Sequence, residues 1–288
     1  MGGSMMQKIK DLFGVGNLGI IEEQSESTQI KEAKNFEVLN SYLHYRQEIL
    51  AQSMGGLNIY QVTMTKRREA GSIKHKKKKI IYIQARLHAA ETHGSFVMRY
   101  VLKELTQNYL KYDQLLHNNI VKLIPMVNPD GVVIGNSRSS LAGADLNRRW
   151  GNPNATIHPE LYFLKKNIKA TQDQSAGIGI FCDLHGHNRQ FNCFFYGSNK
   201  APDEGMLSWT KTRLLPKIFG QLEPIFDFNM CKFSTEKTKY NTARVVMWNE
   251  FKVANSFTLE TSMFGKRKNK DANLHSKERS VLRRGDVK

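Results

Sequence analysis

The stretch IIYIQARLHAAETHG, residues 80–94, decides how the rest of the chain is read. Its opening run is apolar and β-prone, the composition of a core strand. Where that strand should end, His88 and Glu91 stand three residues apart, and residues 95–110 (SFVMRYVLKELTQNYL) then carry the period of an amphipathic helix. A strand that ends in polar, metal-capable residues and feeds a helix is the start of an α/β layer. In such layers ligands collect beyond the carboxyl ends of the strands.

Downstream the pattern repeats without any internal sequence repeat. NIVKLIPMV (119–127) predicts a strand ending in the turn NPDG, and a loop with few apolar residues, GNSRSSLAGADLNRRWGNPN, follows. HPELYFLKKNIKATQ predicts a helix, GIGIFCDLHG a buried strand, CFFYG another, MLSWTKTRLLPKIFGQL a helix and NSFTLETSMF a late strand. Upstream, GLNIYQVTMT (56–65) alternates like a strand, while Phe36, Leu39, Leu43 and Tyr45 at mixed three- and four-residue spacings predict a helix over 36–53. Strands alternating with helices imply an α/β fold with a mixed, largely parallel central sheet and helices on both faces.

Bulk properties narrow the function classes. With 288 residues, 40% of them hydrophobic and 10% aromatic, the chain can build a sizeable globular core. No run of eighteen apolar residues occurs and the N-terminus lacks a secretory pattern, so a soluble cytoplasmic protein without membrane association is expected. Cys182, Cys193 and Cys231 are too few and too scattered for a disulfide framework or zinc knuckle, and are read as reduced thiols. A formal charge of +17 points to an acidic partner: nucleic acid, an anionic membrane surface or an acidic polypeptide. The basic run KRREAGSIKHKKKK (66–79) is read as a solvated hairpin guarding the strand after it, in preference to a nuclear-entry signal or a polyanion contact. A nucleic-acid binder is disfavoured, because the chain carries no zinc finger, recognition-helix motif or aromatic RNA-binding signature.

A catalytic zinc ion needs three protein ligands and an open position for water. His88 and Glu91 supply two, and His185 in DLHGH, projecting from a strand end, supplies a third. Each fragment alone is a weak signal, since His-x-x-Glu arises often by chance and a lone His after a strand is usually a hydrogen-bonded core residue. Between them lie Arg138, Asn147 and Arg148, suited to an anion because the arginine fork grips a carboxylate with two charge-assisted hydrogen bonds. A metal hydrolase with a carboxylate clamp is a peptidase acting at a C-terminus.

At ARLHAAET, IPMVNPDGVVIGNSRSSLAGADLNRRW, CDLHGHNRQFNCFFYG, RVVMW and NSFTLET the chain resembles the zinc carboxypeptidases, and within them the cytosolic branch that removes glutamates from tubulin and other acidic tails. The resemblance implies one Zn2+ per chain held by His88, Glu91 and His185. It implies Glu260 as the catalytic glutamate that takes a proton from water and returns it to the leaving amine, with Arg138 polarising the scissile carbonyl. It places Asn147 and Arg148 on the substrate's terminal carboxylate, Asp145 behind His88 to orient it, and Arg244 in the pocket that favours an acidic terminal side chain. The partners it implies are acidic or polyglutamylated protein tails, tubulin first among them, with a cytoplasmic, cytoskeleton-associated location. The rival from another class is a catalytically inactive carboxypeptidase-fold protein that binds microtubules or another polyanion.

His187 and His93 are read as polar neighbours of the site, Cys182, Phe194, Phe195 and Tyr196 as core residues, and Tyr240 as a weak candidate for the tyrosine that secretory carboxypeptidases place over the substrate. Where the branch has His-Pro-Gly-Glu this chain has His88, Ala89, Ala90 and Glu91, so an altered turn is expected if that glycine takes positive φ. The expected organisation is a polar N-terminal tail or remnant over 1–35, the catalytic domain over 36–265 and a basic tail over 266–288. The branch's N-terminal β-sandwich domain and packed final helix are expected to be missing.

Overall fold

The apolar run of residues 80–83 lies at the centre of a seven-stranded sheet in the computed structural model, which describes residues 41–67, 77–199 and 205–267. The strands are β1 (Leu43–Gln52), β2 (Asn58–Lys66), β3 (Lys79–Ala85), β4 (Asn119–Ile124), β5 (Ile178–His187), β6 (Cys193–Tyr196) and β7 (Asn255–Ser262). They are ordered β1-β2-β4-β3-β5-β7-β6. The four inner strands, β4, β3, β5 and β7, run parallel, and antiparallel pairs flank them on both sides. The helices used below are α1 (His93–Gln107), α2 (Asp113–Asn118), α3 (Pro129–Ile134), α4 (Pro159–Gln174), α5 (Gly205–Leu222) and α6 (Ala243–Asn249).

Alternation along β3 explains why both faces are covered. Ile80 and Tyr82 point into a core with Trp150, Phe181, Leu161, Leu164 and Ile168 of α4, and Val246 and Met247 of α6. Ile81 and Ile83 point the other way, toward Met98, Leu102 and Leu105 of α1 and Leu116 of α2. A period of two in a central strand therefore demands an apolar helix face on each side, which α1 and α4 supply at helical spacing. Gly94 lets α1 approach the sheet: a Cβ there would sit 3.1 Å from the Leu184 carbonyl and 3.2 Å from Ala85 Cβ.

One expectation is overturned. Residues 43–52, predicted helical, form the edge strand β1, paired antiparallel with β2 from Leu43 opposite Lys66 to Gln52 opposite Asn58. Leu43 and Tyr45 fit a two-residue period as well as a helical one, and pairing along the whole of β2 decides between them. A register shift between Ile49 and Ala51 then sends Leu50 and Ala51 into the opposite core. Residues 1–40, 68–76 and 268–288, and with them both terminal segments and most of the basic run, lie outside the described residues. Among the described residues no helix is long and apolar enough to cross a membrane.

Candidate active site

The chain leaves β3 through Arg86, whose φ of 56° is left-handed. That conformation is unfavourable for a side-chain-bearing residue, and the side chain itself helps to hold it. Arg86 Nε and Nη2 both donate to the Ala89 carbonyl, at 3.0 and 2.6 Å, and Nη1 donates to Ser95 Oγ at 2.9 Å. The guanidinium thus bolts the 86–91 turn to the start of α1. Because the positive φ falls on Arg86, Ala89 and Ala90 need no glycine, and the turn closes with Ala90 N donating to the Ser137 carbonyl at 3.1 Å.

This turn brings His88 and Glu91 against His185, near the carboxyl end of the neighbouring strand β5. Glu91 Oε1 lies 2.7 Å from His88 Nδ1, Glu91 Oε2 lies 2.8 Å from His185 Nδ1, and the two Nδ1 atoms are 3.0 Å apart. One atom from each of the three side chains falls within 4.8 Å of the others. Each imidazole is held from behind by a carboxylate: His88 Nε2 by Asp145 Oδ1 at 3.1 Å and His185 Nε2 by Asp183 Oδ2 at 2.7 Å. A carboxylate on Nε2 keeps the proton there and leaves the Nδ1 lone pair to face a cation, the arrangement usual behind metal-ligating histidines. Two nitrogens and a carboxylate converging beside an open cavity fit a zinc ion that keeps one position free.

Electrostatics fit the same use. Burial favours a neutral Glu91, but hydrogen bonds and charge from His185 and His88 outweigh it and hold the carboxyl well below its usual range. Burial likewise disfavours charge on His185, yet Asp183 and Glu91 raise it well above the ordinary imidazole value. Asp145 is drawn below the carboxylate range, against the effect of burial, by His88 and Arg138.

The cluster opens into a cavity of about 610 Å3. Glu260 of β7 lines it, and strand register sets its place, with His185 and Glu260 directly paired across β5 and β7. Burial, aided by the Glu91 and Asp183 charges and opposed by the two histidines, pushes the Glu260 carboxyl up to about 7. Arg138 reaches within 3.5 Å of His88 Nδ1 while its Nε donates to Asp145 Oδ2 at 2.9 Å. Asn147 and Arg148 also line the cavity. Asn147 Oδ1 accepts from Ala243 N, so its NH2 is the group it can offer a ligand. Arg244, only 6% exposed, donates from Nη1 to the Gly197 carbonyl at 2.8 Å and has further donors for the cavity. Burial lowers the Arg244 guanidinium to about 10, with Tyr196 and Glu260 partly restoring it, which leaves it charged at neutral pH.

Of the nine site residues read from the sequence, eight line this cavity; Asp145, the ninth, stands behind His88. Tyr196 requires a correction. Phe194 and Phe195 are buried, as expected of core residues, but Tyr196 lines the cavity, where charge interactions link it to Glu260 and Arg244. Asp183 was missed altogether; its only signal is the D-x-H spacing, which places both side chains on one face of a strand. Lys232 and Lys239, also missed, add cations to the cavity wall. His187 lines the cavity with Nδ1 accepting from Arg189 N and Gln190 N. Tyr240 is 52% exposed and does not line it.

The sheet carries at its carboxyl edge a His-Glu-His cluster that could hold a metal ion, with a glutamate one strand away and arginines around the opening. Residues 41–270 match the zinc carboxypeptidase family, and the chain belongs to it. Cytosolic carboxypeptidase 1 of Xenopus laevis is 35% identical over 252 residues, covering 82% of this chain and 21% of that protein. Cytosolic carboxypeptidase 4 of Mus musculus is 36% identical over 237 residues, covering 77% and 21%. The chain thus spans about a fifth of the length of these curated relatives. In fold it is similar to a metallo-carboxypeptidase from Burkholderia cenocepacia, with a TM-score of 0.67 at 23% identity over 83% of this chain and 60% of that one.

Proposed function

We propose that the chain is a zinc-dependent metallocarboxypeptidase that releases glutamate from acidic C-terminal or polyglutamylated protein tails, with tubulin as a cytoplasmic, cytoskeletal target. The observation that carries this reading is the convergence on one cavity of the His88, Glu91 and His185 cluster, Glu260, and the cations Arg138, Arg148 and Arg244. The names of the relatives, cytosolic carboxypeptidases, support the reaction and the compartment.

The roles follow from position. His88, Glu91 and His185 would hold a zinc ion, which when bound would supply Lewis acidity toward the scissile carbonyl and lower the pKa of an attacking water. Glu260 takes a proton from the attacking water and passes it to the leaving amine. Arg138 stabilises negative charge as it builds on the former carbonyl oxygen. Asn147 and Arg148 hold the substrate's terminal carboxylate, and Arg244 meets an acidic terminal side chain inside the cavity, where a lysine side chain would be repelled. Asp145 and Asp183 keep the two histidines in register. A complete set of such groups in one cavity argues against the inactive alternative.

The test is free glutamate released from a polyglutamate-tailed peptide by the purified chain, with and without zinc, beside Glu260→Gln. Zinc-dependent release is expected, and the variant should bind zinc normally yet turn over about 100- to 10,000-fold more slowly. Undiminished release by the variant, or equal release after metal removal, would overturn the reading.

A further inference from the structure

Between its exposed first residue, Lys79, and Ala85, strand β3 carries one amide side chain, Gln84, and that side chain is fully buried. Strand alternation sets its surroundings. Gln84 follows Tyr82 by two residues and faces the same core, while Asp183 follows Phe181 by two on β5 and faces that core as well. The parallel register places Tyr82 opposite Phe181 and Gln84 opposite Asp183, and the two rings stack with 5.9 Å between centroids. Gln84 and Asp183 are therefore neighbours one rung beyond the ring pair, on strands about 4.8 Å apart.

Both side chains carry unmatched polar atoms. Asp183 is fully buried and gives Oδ2 to His185 Nε2 at 2.7 Å, but its Oδ1 has no hydrogen-bond partner among the described residues, and neither do Oε1 and Nε2 of Gln84. An unpaired amide inside a core is costly, and an unpaired carboxylate oxygen is costlier. Here a free donor and a free acceptor stand on the same face of adjacent strands, and the side-chain torsions of glutamine let its NH2 meet Asp183 Oδ1, directly or through one internal water. On its other side Gln84 lies opposite Ile124 of β4, which is apolar, so Asp183 is its polar neighbour in the ladder. Gln84 does not line the catalytic cavity.

From this juxtaposition we infer that Gln84 is a positioning residue for the metal centre: its amide fixes the Asp183 carboxylate, which in turn holds the His185 ring with Nδ1 toward Glu91. Gln84 reaches the cation only through Asp183 and His185. A carboxylate held by both oxygens keeps the imidazole oriented before a cation arrives, so that less ordering remains to be done on binding. This rests on the metal reading above.

The experiment measures zinc affinity of the full chain by chelator competition for the parent, Gln84→Met, Tyr82→Phe, Asp183→Asn and the Gln84→Met, Asp183→Asn pair. Methionine keeps the length of glutamine and removes its amide. Gln84→Met should weaken zinc binding about fivefold, the equivalent of one ordinary hydrogen bond. In the Asp183→Asn background the same substitution should cost less than about twofold, because the carboxylate it acts through is gone. Tyr82→Phe removes another fully buried, unpartnered polar atom from the same face of β3 and should leave affinity within about twofold. Circular dichroism shows that each variant is folded, and Gln84→Leu replaces Gln84→Met if the latter is not. Zinc binding by the Gln84 variant within about twofold of the parent, an equal loss in both Asp183 backgrounds, or an equal loss from Tyr82→Phe would overturn the inference alone. A folded parent that binds no zinc would remove the metal reading and this inference with it.

Discussion

Replacing Asp183 by Asn should weaken zinc binding by close to 100-fold, although Asp183 is not itself one of the three proposed ligands. Asp183 is fully buried and its Oδ2 lies 2.7 Å from His185 Nε2. Asparagine has nearly the same volume, so the perturbation is chemical. If the amide oxygen faces Nε2, a charge-assisted bond becomes a neutral one of roughly half the strength, and an NH2 is buried where Asp183 Oδ1 already lacks a partner. If the NH2 faces Nε2, it donates, the ring proton moves to Nδ1, and the atom turned toward Glu91 loses its lone pair. Loss of such an outer partner costs about 10- to 100-fold in metal affinity, or about 1.4 to 2.7 kcal/mol. Full burial puts Asp183 at the upper end. Asp145→Asn should fall at the lower end, because its side chain is 26% exposed and its contact with His88 is longer, 3.1 Å. Zinc competition against a chromophoric chelator at pH 7.5, with circular dichroism to show that each variant is folded, measures both. Folded variants within twofold of the parent, or a larger loss from Asp145→Asn, would refute the reasoning.

Four further outcomes are expected. In the metal-free protein the raised His185 pKa contributes stability that is complete below its unfolded value of about 6.5 and is lost as pH rises through the folded value, so calorimetric melting temperature should fall as pH rises above about 6.5. Zinc affinity should rise over the same range by up to about tenfold per pH unit, and a melting temperature that climbs with pH would contradict the assignment. Arg244→Gln, which can still donate to the Gly197 carbonyl, should reduce glutamate release at least tenfold more than leucine release; equal losses in kcat/KM would remove Arg244 from side-chain selection. Trp150→Ala, emptying a fully buried position against Phe181, should lower stability by about 3 to 5 kcal/mol in urea unfolding, and a loss below 1 kcal/mol would show that the core does not depend on it.

The parallel centre was legible because β3 and β5 are apolar runs that end in polar residues, a pattern that also locates the chemistry. The edge was harder. In β1 a few apolar residues satisfy two periods at once, and only the long-range partner β2 chooses between them. α6 showed no period because residues 243–247 are all buried, and a helix covered on every side has no polar stripe. α3 hid inside NPDG, which reads as a turn; there Asn128 caps a short helix opened by a proline at its first position. Tyr196 was misplaced because CFFY alternates without saying which face meets the core, and the face occupied by Phe194 and Tyr196 also borders the cavity. Asp183 is a single acid within an apolar strand, and the two-residue spacing that puts it on the face of His185 does not by itself say that the two side chains bond.

The pairing of His185 with Glu260 divides the molecule's labour in a way that bears on how such sites diversify. His185 and Glu260, proposed above to hold the cation and to move the proton, stand on neighbouring strands about 4.8 Å apart, anchored between two hydrophobic layers. Of the groups that line the cavity outside the sheet, Arg138, Asn147 and Arg148 sit on the connection at 135–150 and Lys232 and Lys239 on that at 231–240, whereas Arg244 lies on α6. Insertions and exchanges in those connections can redirect the catalyst toward a different chain end while the spacing that breaks the bond stays as it is. Selection can revise what is cut far faster than how it is cut.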